Sequence, residues 1–150
     1  MPIGWRQSTL PCLGSTWLAF SLVIGCSSAG SEHGDARAAA YANVNEATVA
    51  FDAHDYAAAE PKLASALASK LLNPDVFCES TVKHAVCLSA AGKHDEALAA
   101  LDTVGVGASN VDQIDAARSY ILAKQGKAAE SRAALAKARR LNPKVQEFKD

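Results

Sequence analysis

The stretch GKAAESRAALAKARRLNP, residues 126–143, decides how the rest of this chain is interpreted, because a fainter copy of it begins at Gly92. After Gly126, small or apolar residues recur at helical spacing, at Ser131, Ala134, Leu135, Ala138 and Leu141. After Gly92 the matching positions are Ala97, Leu101 and Val104. The two glycines stand 34 residues apart, a period typical of helical repeats. We therefore expect stacked helix-turn-helix units.

Apolar stripes outside this stretch predict six helices, folded as three antiparallel hairpins. Asn73 and Pro74 are typical of a helix start, with Asn73 as the cap and Pro74 in the first turn. Asn110 stands three residues before Gln113, the spacing of a capping box for the fifth helix. Pro61 predicts either a kink in the second helix or a regular part that begins just before it.

The sequence Asn142-Pro143 repeats the Asn73-Pro74 signal at the end of the sixth helix. It predicts a short C-terminal helix that covers the open end of the stack. The fold expected from the residues alone is therefore all-α.

These features resemble the tetratricopeptide repeat family, whose units of 34 residues stack into a superhelix. The resemblance covers about residues 37–143 and rests on three sets of positions. Each unit has a small residue in its first helix, a turn residue, and a small and a large residue in its second helix. These are Ala47, His54, Ala59 and Leu63, then Ala85, Gly92, Ala97 and Leu101, then Ser119, Gly126, Ser131 and Leu135. A generic alanine-rich bundle is the alternative.

The resemblance implies a scaffold whose concave face, lined by the first helices, binds a peptide or a partner helix. The positions that correspond to this face are Val44, Thr48, Val82, Val86 and Ser89. They lack the Lys, Asn and Arg side chains with which some members clamp a terminal carboxylate. We expect an apolar groove for a protein or peptide partner.

Residues 1–25 have the composition of an export signal, with one charge, Arg6, before a short apolar run. Val23-Ile24-Gly25-Cys26 resembles the lipobox of bacterial lipoproteins. In that family the cysteine carries acyl chains such as palmitate and becomes the mature N-terminus. The resemblance implies lipid attachment at Cys26 and a domain exported to the periplasmic side of a membrane, the outer membrane rather than the inner. An ordinary signal peptide with a chance cysteine is the alternative.

The remaining chain divides into a flexible linker, residues 26–35, and a helical-repeat domain, residues 36–150. The linker expectation rests on the Ser- and Gly-rich composition of residues 27–35, which show no apolar periodicity. Aromatic residues make up 6% of the chain and the net charge is −1, which argues against a nucleic-acid partner.

The residues give little support to catalysis, a metal or a cofactor. His84 and Cys87 stand three apart on one helix, but a zinc site needs three or four ligands. His94, Asp95 and Glu96 open a helix, where acidic residues favour the positive end of the helix dipole. Cys78 and Cys87 lie too far apart on one helix to form a disulfide, so we expect two packed thiols.

Charge is divided unevenly along the mature chain. Residues 26–117 contain 5 basic and 13 acidic side chains, whereas residues 118–150 contain 9 basic and 3 acidic ones. This polarity suggests end-to-end self-association, an acidic partner, lipid headgroups, or simply a solvated face.

The sequence thus predicts a non-enzymatic, membrane-anchored interaction or assembly scaffold of the bacterial cell envelope. The alternative is an exported helical spacer without a dedicated peptide groove.

Overall fold

The computed structural model describes residues 29–104 and 108–149, with the backbone alone for residues 29–31. The described residues form helices and no strand, in the order α1 (Ala29–Asp52), α2 (Tyr56–Ala68), α3 (Pro74–Ala90), α4 (His94–Asp102), α5 (Val111–Lys124) and α6 (Ala128–Leu141). Helix α1 packs on α2, α3 on α4 and α5 on α6, while α3 also contacts α1, α2 and α5. The three stacked hairpins predicted from the sequence are confirmed.

The three hairpin turns have the same backbone conformation. Each contains one residue with positive φ: His54 at 59°, Gly92 at 80° and Gly126 at 77°. A hydrogen bond of 2.9 Å then closes each turn, from Asp55 N to Ala50 O, from Lys93 N to Leu88 O, and from Lys127 N to Leu122 O. Glycine adopts a positive φ without steric cost, which explains why the repeat is visible at the second and third turns but faint at the first.

The predicted small residues hold the two helices of each hairpin together. Ala47 and Ala59 are fully buried, as are Ala85 and Ala97. In the third hairpin serines take both positions, and Ser131 Oγ donates to the carbonyl oxygen of Ser119 over 2.9 Å. Small side chains at these positions let the helix backbones approach closely.

Of the two helix starts with a predicted capping residue, one has the expected cap and one does not. Asn73 Oδ1 accepts from Val76 N at 2.8 Å, with Pro74 in the first turn of α3, as expected. Asp55 caps α2 in the same way, and Pro61 lies inside that helix. Asn110 makes no capping bond, so the capping box predicted there is wrong; its Oδ1 accepts instead from the Cys78 thiol at 2.7 Å.

Both chain ends of the described part differ from expectation. Residues 29–35, assigned to a flexible linker, form the first turns of α1. Three consecutive alanines, residues 38–40, favour helix, and α1 extends from its packed part through residues that are exposed up to position 39. The short terminal helix after Pro143 is also absent: residues 142–149 contain one turn and continue without helical structure.

Candidate partner-binding face

The first helices of the hairpins lie side by side, because α3 contacts both α1 and α5. We call their common side the first-helix face and define it by residues that line one cavity: Phe51 and Asp52 of α1, Glu79 and Lys83 of α3, and Asp112 and Gln113 of α5. The cavity has a volume of about 270 Å³. This face is the counterpart of the concave groove expected from the sequence.

Two of the five residues assigned to that groove from the sequence are inaccessible, and a third lies at the base of the cavity. Val86 is 0% exposed and Ser89 2%, so these two cannot line an open surface, whereas Val82 is 1% exposed but lines the cavity. Val82 and Val86 belong to the main apolar core, and Ser89 Oγ lies 3.0 Å from His94 Nδ1. Val44 and Thr48 of α1 remain partly exposed. Helical periodicity identified the inward side of α3 but did not distinguish a groove from the core.

Lys83 connects two of the first helices at this face. Its ammonium donates to Thr48 Oγ1 at 3.1 Å and to Glu79 Oε1 at 2.8 Å. The side chain of Lys83 is 16% exposed, so this cation is largely taken out of water while it is paired. Lys83 was not predicted from the sequence, because the residues at the positions that correspond to the family's concave face are all uncharged.

Residues 142–149, which we call the C-terminal segment, run across the first-helix face. Asn142 Nδ2 donates to Asp112 Oδ2 at 2.8 Å, at the start of α5. At the other end, the Tyr56 hydroxyl donates to the carbonyl oxygen of Lys149 at 2.6 Å. The segment therefore spans the face from the third hairpin to the first.

Phe148 anchors the segment through an aromatic cluster. Its ring lies 6.2 Å from that of Phe51 at 83°, and Phe51 lies 5.3 Å from Tyr56 at 61°. Both are edge-to-face arrangements, the preferred geometry of aromatic pairs. Phe148 also packs against the main core. An isolated aromatic residue near a polar chain end was the sequence signal that could have revealed this contact.

The family model that describes the tetratricopeptide repeat-like domain matches residues 26–148. The chain belongs to this tetratricopeptide repeat-like family. Comparison with curated proteins and with solved structures gave no match. Members of the family are generally non-catalytic and bind other proteins. In general terms, this chain is therefore a protein-interaction scaffold.

A second cleft of this tetratricopeptide repeat-like domain lies between α2 and α3, with a volume of about 400 Å³. Glu60 and Cys87 line it, and Glu60 Oε1 lies 3.5 Å from Nε2 of the neighbouring His84. Burial, helped by the Glu60 carboxylate, raises the pKa of the Cys87 thiol to about 12. The thiol is therefore protonated at neutral pH, and a protonated thiol is a poor nucleophile and a poor metal ligand.

Cys78 occupies a separate position, at the contact between α3 and the start of α5. Burial raises the pKa of this thiol too, against the opposing effect of its hydrogen bond to Asn110. Both Cys78 and Cys87 are unpaired and buried, as the helical spacing predicted. Within the described residues no group of three or more His, Cys, Asp and Glu side chains is placed to hold a metal ion.

The predicted signal peptide, residues 1–25, and the lipid-attachment residue Cys26 lie outside the described residues. Of the helices that the structure describes, none has the length and apolar composition needed to cross a bilayer.

Proposed function

We propose that this protein is a membrane-anchored interaction scaffold of the bacterial cell envelope, which binds an extended segment of a partner protein at its first-helix face. One observation carries the binding part of the proposal. The face already accommodates an extended stretch of polypeptide, the C-terminal segment, by a partly buried aromatic side chain and by hydrogen bonds at both ends. A surface that binds one such segment has the shape and chemistry to bind another.

The anchoring part rests on the lipobox-like sequence that ends at Cys26. Acyl chains on one cysteine contribute about 0.8 kcal/mol of membrane affinity per buried CH₂, so several chains would retain a small domain at a bilayer. Helix α1 begins three residues later, and its residues 32–39 are exposed. The eight exposed residues 32–39 extend about 12 Å along the helix axis, which would make this part of α1 a stalk between membrane and stack.

The anchor is tested by mass spectrometry of the mature N-terminus and by fractionation of cells that express Cys26→Ala. We expect a diacylglyceryl-modified cysteine at position 26 and release of the variant from membranes. A mature protein without lipid, or a Cys26→Ala protein still held at the membrane, would contradict anchoring but leave the binding face untouched.

The binding face is tested by photo-crosslinking in intact cells. A photoreactive amino acid at Glu79 or Gln113, both exposed on the first-helix face, should capture a partner protein. The matched control is the same amino acid at Ala99 or Ala136, which are exposed on second helices. Equal capture from both pairs of positions would argue against a dedicated face. It would favour the alternative, an exported helical spacer.

The charge distribution supports a second candidate, association between copies of the chain. The eight basic side chains that follow Tyr120 are all exposed: Lys124, Lys127, Arg132, Lys137, Arg139, Arg140, Lys144 and Lys149. The acidic residues of the preceding part would offer them a complementary surface, and the attraction would weaken with salt. Sedimentation should then show a larger species at low ionic strength, whereas a monomer insensitive to salt would exclude this candidate.

A further inference from the structure

We propose that the C-terminal segment is a built-in competitor of the partner: it occupies the first-helix face and must leave before an extended segment with an aromatic residue beside a basic one can bind. This inference rests on the proposed binding face and specifies its ligand and its regulation. It starts from the direction of the segment, which leaves the stack at Asn142 and crosses α3 to reach Phe51 and Tyr56.

The segment is attached at a few points rather than along its length. Val145 and Phe148 are partly buried, and the other six residues of 142–149 are exposed. Two attachments are single hydrogen bonds, Asn142 to Asp112 and Tyr56 to Lys149, and Glu147 adds an ion pair with Arg139 of α6. Exposed ion pairs contribute little. An arrangement of this kind opens at small cost, because only Phe148 gives up much apolar contact.

The space around the segment shows that it does not fill the face. The cavity of about 270 Å³ extends between the segment and the side chains of Glu79, Val82 and Lys83. A second cavity of about 390 Å³ lies on the side of His54 and Tyr56. A partner segment with a larger aromatic side chain or longer neighbours would use this volume and gain contacts that the C-terminal segment lacks.

Charges around Phe148 define the flanking chemistry of the ligand. The first-helix face presents the carboxylates of Asp52, Glu79 and Asp112, against the single ammonium of Lys83. The C-terminal segment itself carries Lys144 and Lys149 on either side of its aromatic anchor. Complementary charge therefore favours a ligand in which lysine or arginine neighbours the aromatic residue.

The test measures binding of a fluorescent peptide with the sequence of residues 141–150, added to the chain that begins at residue 27 and contains every described residue. Phe148→Ala removes the anchor of the internal segment and should bind the peptide about tenfold more tightly than the unmodified chain, since a face that is mostly occupied shows a reduced apparent affinity. Gln146→Ala, an exposed change in the same segment, is the matched control and should behave like the unmodified chain.

Two peptide variants test the ligand chemistry. A peptide with alanine in place of its phenylalanine should lose binding to the Phe148→Ala chain. A peptide with glutamate in place of both lysines should bind several-fold more weakly. If either peptide bound as well as the original, the ligand class proposed here would be wrong.

A second chain variant loosens the segment without altering any aromatic side chain. Arg139→Glu replaces the ion pair with a carboxylate beside Glu147 and should raise the affinity for the peptide in the same direction as Phe148→Ala. Arg140→Glu, the same change at the exposed neighbouring residue, is the matched control and should leave the affinity close to that of the unmodified chain. Circular dichroism and thermal unfolding confirm that each variant is folded before the peptide is added.

The outcomes separate this inference from the proposed function. Equal affinity of the unmodified, Phe148→Ala and Arg139→Glu chains would show that the segment does not compete, although the face would still bind peptide. Absence of binding by all chains at millimolar peptide would overturn the competitor model. Partner capture at Glu79 and Gln113 in cells is independent of both results and decides the binding face itself.

Discussion

The phenol of Tyr56 and the carbonyl oxygen of Lys149 are joined by a hydrogen bond of 2.6 Å, although 93 residues separate them in the sequence. Tyr56 is the first residue of α2, and Lys149 is the last residue that the structure describes. The bond therefore links the beginning of the repeat stack to its end. Release of the C-terminal segment can therefore be used to monitor whether the first-helix face is covered.

Tyr56→Phe should loosen the C-terminal segment without unfolding the stack. A neutral hydrogen bond contributes about 1 kcal/mol net, so its loss should increase the open population about fivefold. The rate at which a carboxypeptidase removes residues from the C-terminus, followed by mass spectrometry, should rise by a similar factor.

Tyr41→Phe provides the control for this substitution. It removes another tyrosine hydroxyl that makes a hydrogen bond, from Asn73 N at 3.0 Å, but at a distance from the C-terminal segment. The digestion rate of this variant should match that of the unmodified chain. Equal rates for Tyr56→Phe and Tyr41→Phe would contradict the proposed attachment.

Ala97→Leu should destabilise the second hairpin, because Ala97 is fully buried at the close contact between α3 and α4. Forcing a larger side chain into a well-packed site costs about 1–3 kcal/mol. The free energy of unfolding in urea should fall by this amount. Ala99→Leu, two residues along the same helix on its exposed side, should change the free energy of unfolding little. If its loss were as large as that of Ala97→Leu, the destabilisation would not be specific to the buried contact at Ala97.

The stack was predictable from the sequence because its determinants are local and repeated. Each hairpin is specified by a turn residue with positive φ, followed at fixed distances by a small and a large residue, whatever its surroundings. Gly92, Ala97 and Leu101 are an example. The helical linker was missed because residues such as Gly30 and Gly34 suggest coil in isolation. Once a helix is nucleated by packing, adding a residue costs little.

The binding face was harder to predict, because it depends on a contact between distant parts of the chain. Val82 and Val86 were correctly placed on the inward side of α3, but periodicity does not reveal what covers a helix. Asn142-Pro143 marked the end of α6 but not the path that follows it. Phe148 gains more by packing against Phe51 in a non-helical segment than by continuing a helix after Pro143.

Cys87 should make the protein less stable in alkaline solution. Its folded-state pKa of about 12 lies above the value of 9.0 for an exposed thiol. Below pH 9 the thiol is protonated in both the folded and the unfolded chain, so its ionisation does not affect the free energy of unfolding. Between about pH 9 and 12 the unfolded chain loses this proton while the folded chain keeps it, so stability falls as pH rises, by at most about 1.4 kcal/mol per pH unit.

Cys87→Ala should remove this contribution and flatten the pH dependence. Alanine leaves a small cavity, and its cost is independent of pH. Urea unfolding of the unmodified and variant chains at several pH values from neutral to strongly alkaline separates the two effects. A difference in free energy that stays constant across the whole range would exclude a raised pKa for this thiol.

The serine pair of the third hairpin should behave as a coupled unit. Ser131 Oγ lies 3.1 Å from Ser119 Oγ and also donates to the Ser119 carbonyl at 2.9 Å. Ser131→Ala leaves the buried Ser119 hydroxyl without this partner and should cost about 1 kcal/mol in the free energy of unfolding. Ser119→Ala should cost less, because Ser131 keeps its carbonyl acceptor.

The double substitution reproduces the alanine pairs of the other two hairpins and removes both hydroxyls together, so it should cost less than Ser131→Ala alone. Urea unfolding of the four chains measures this coupling, and a double variant whose loss equals the sum of the single losses would show that the hydroxyls act independently.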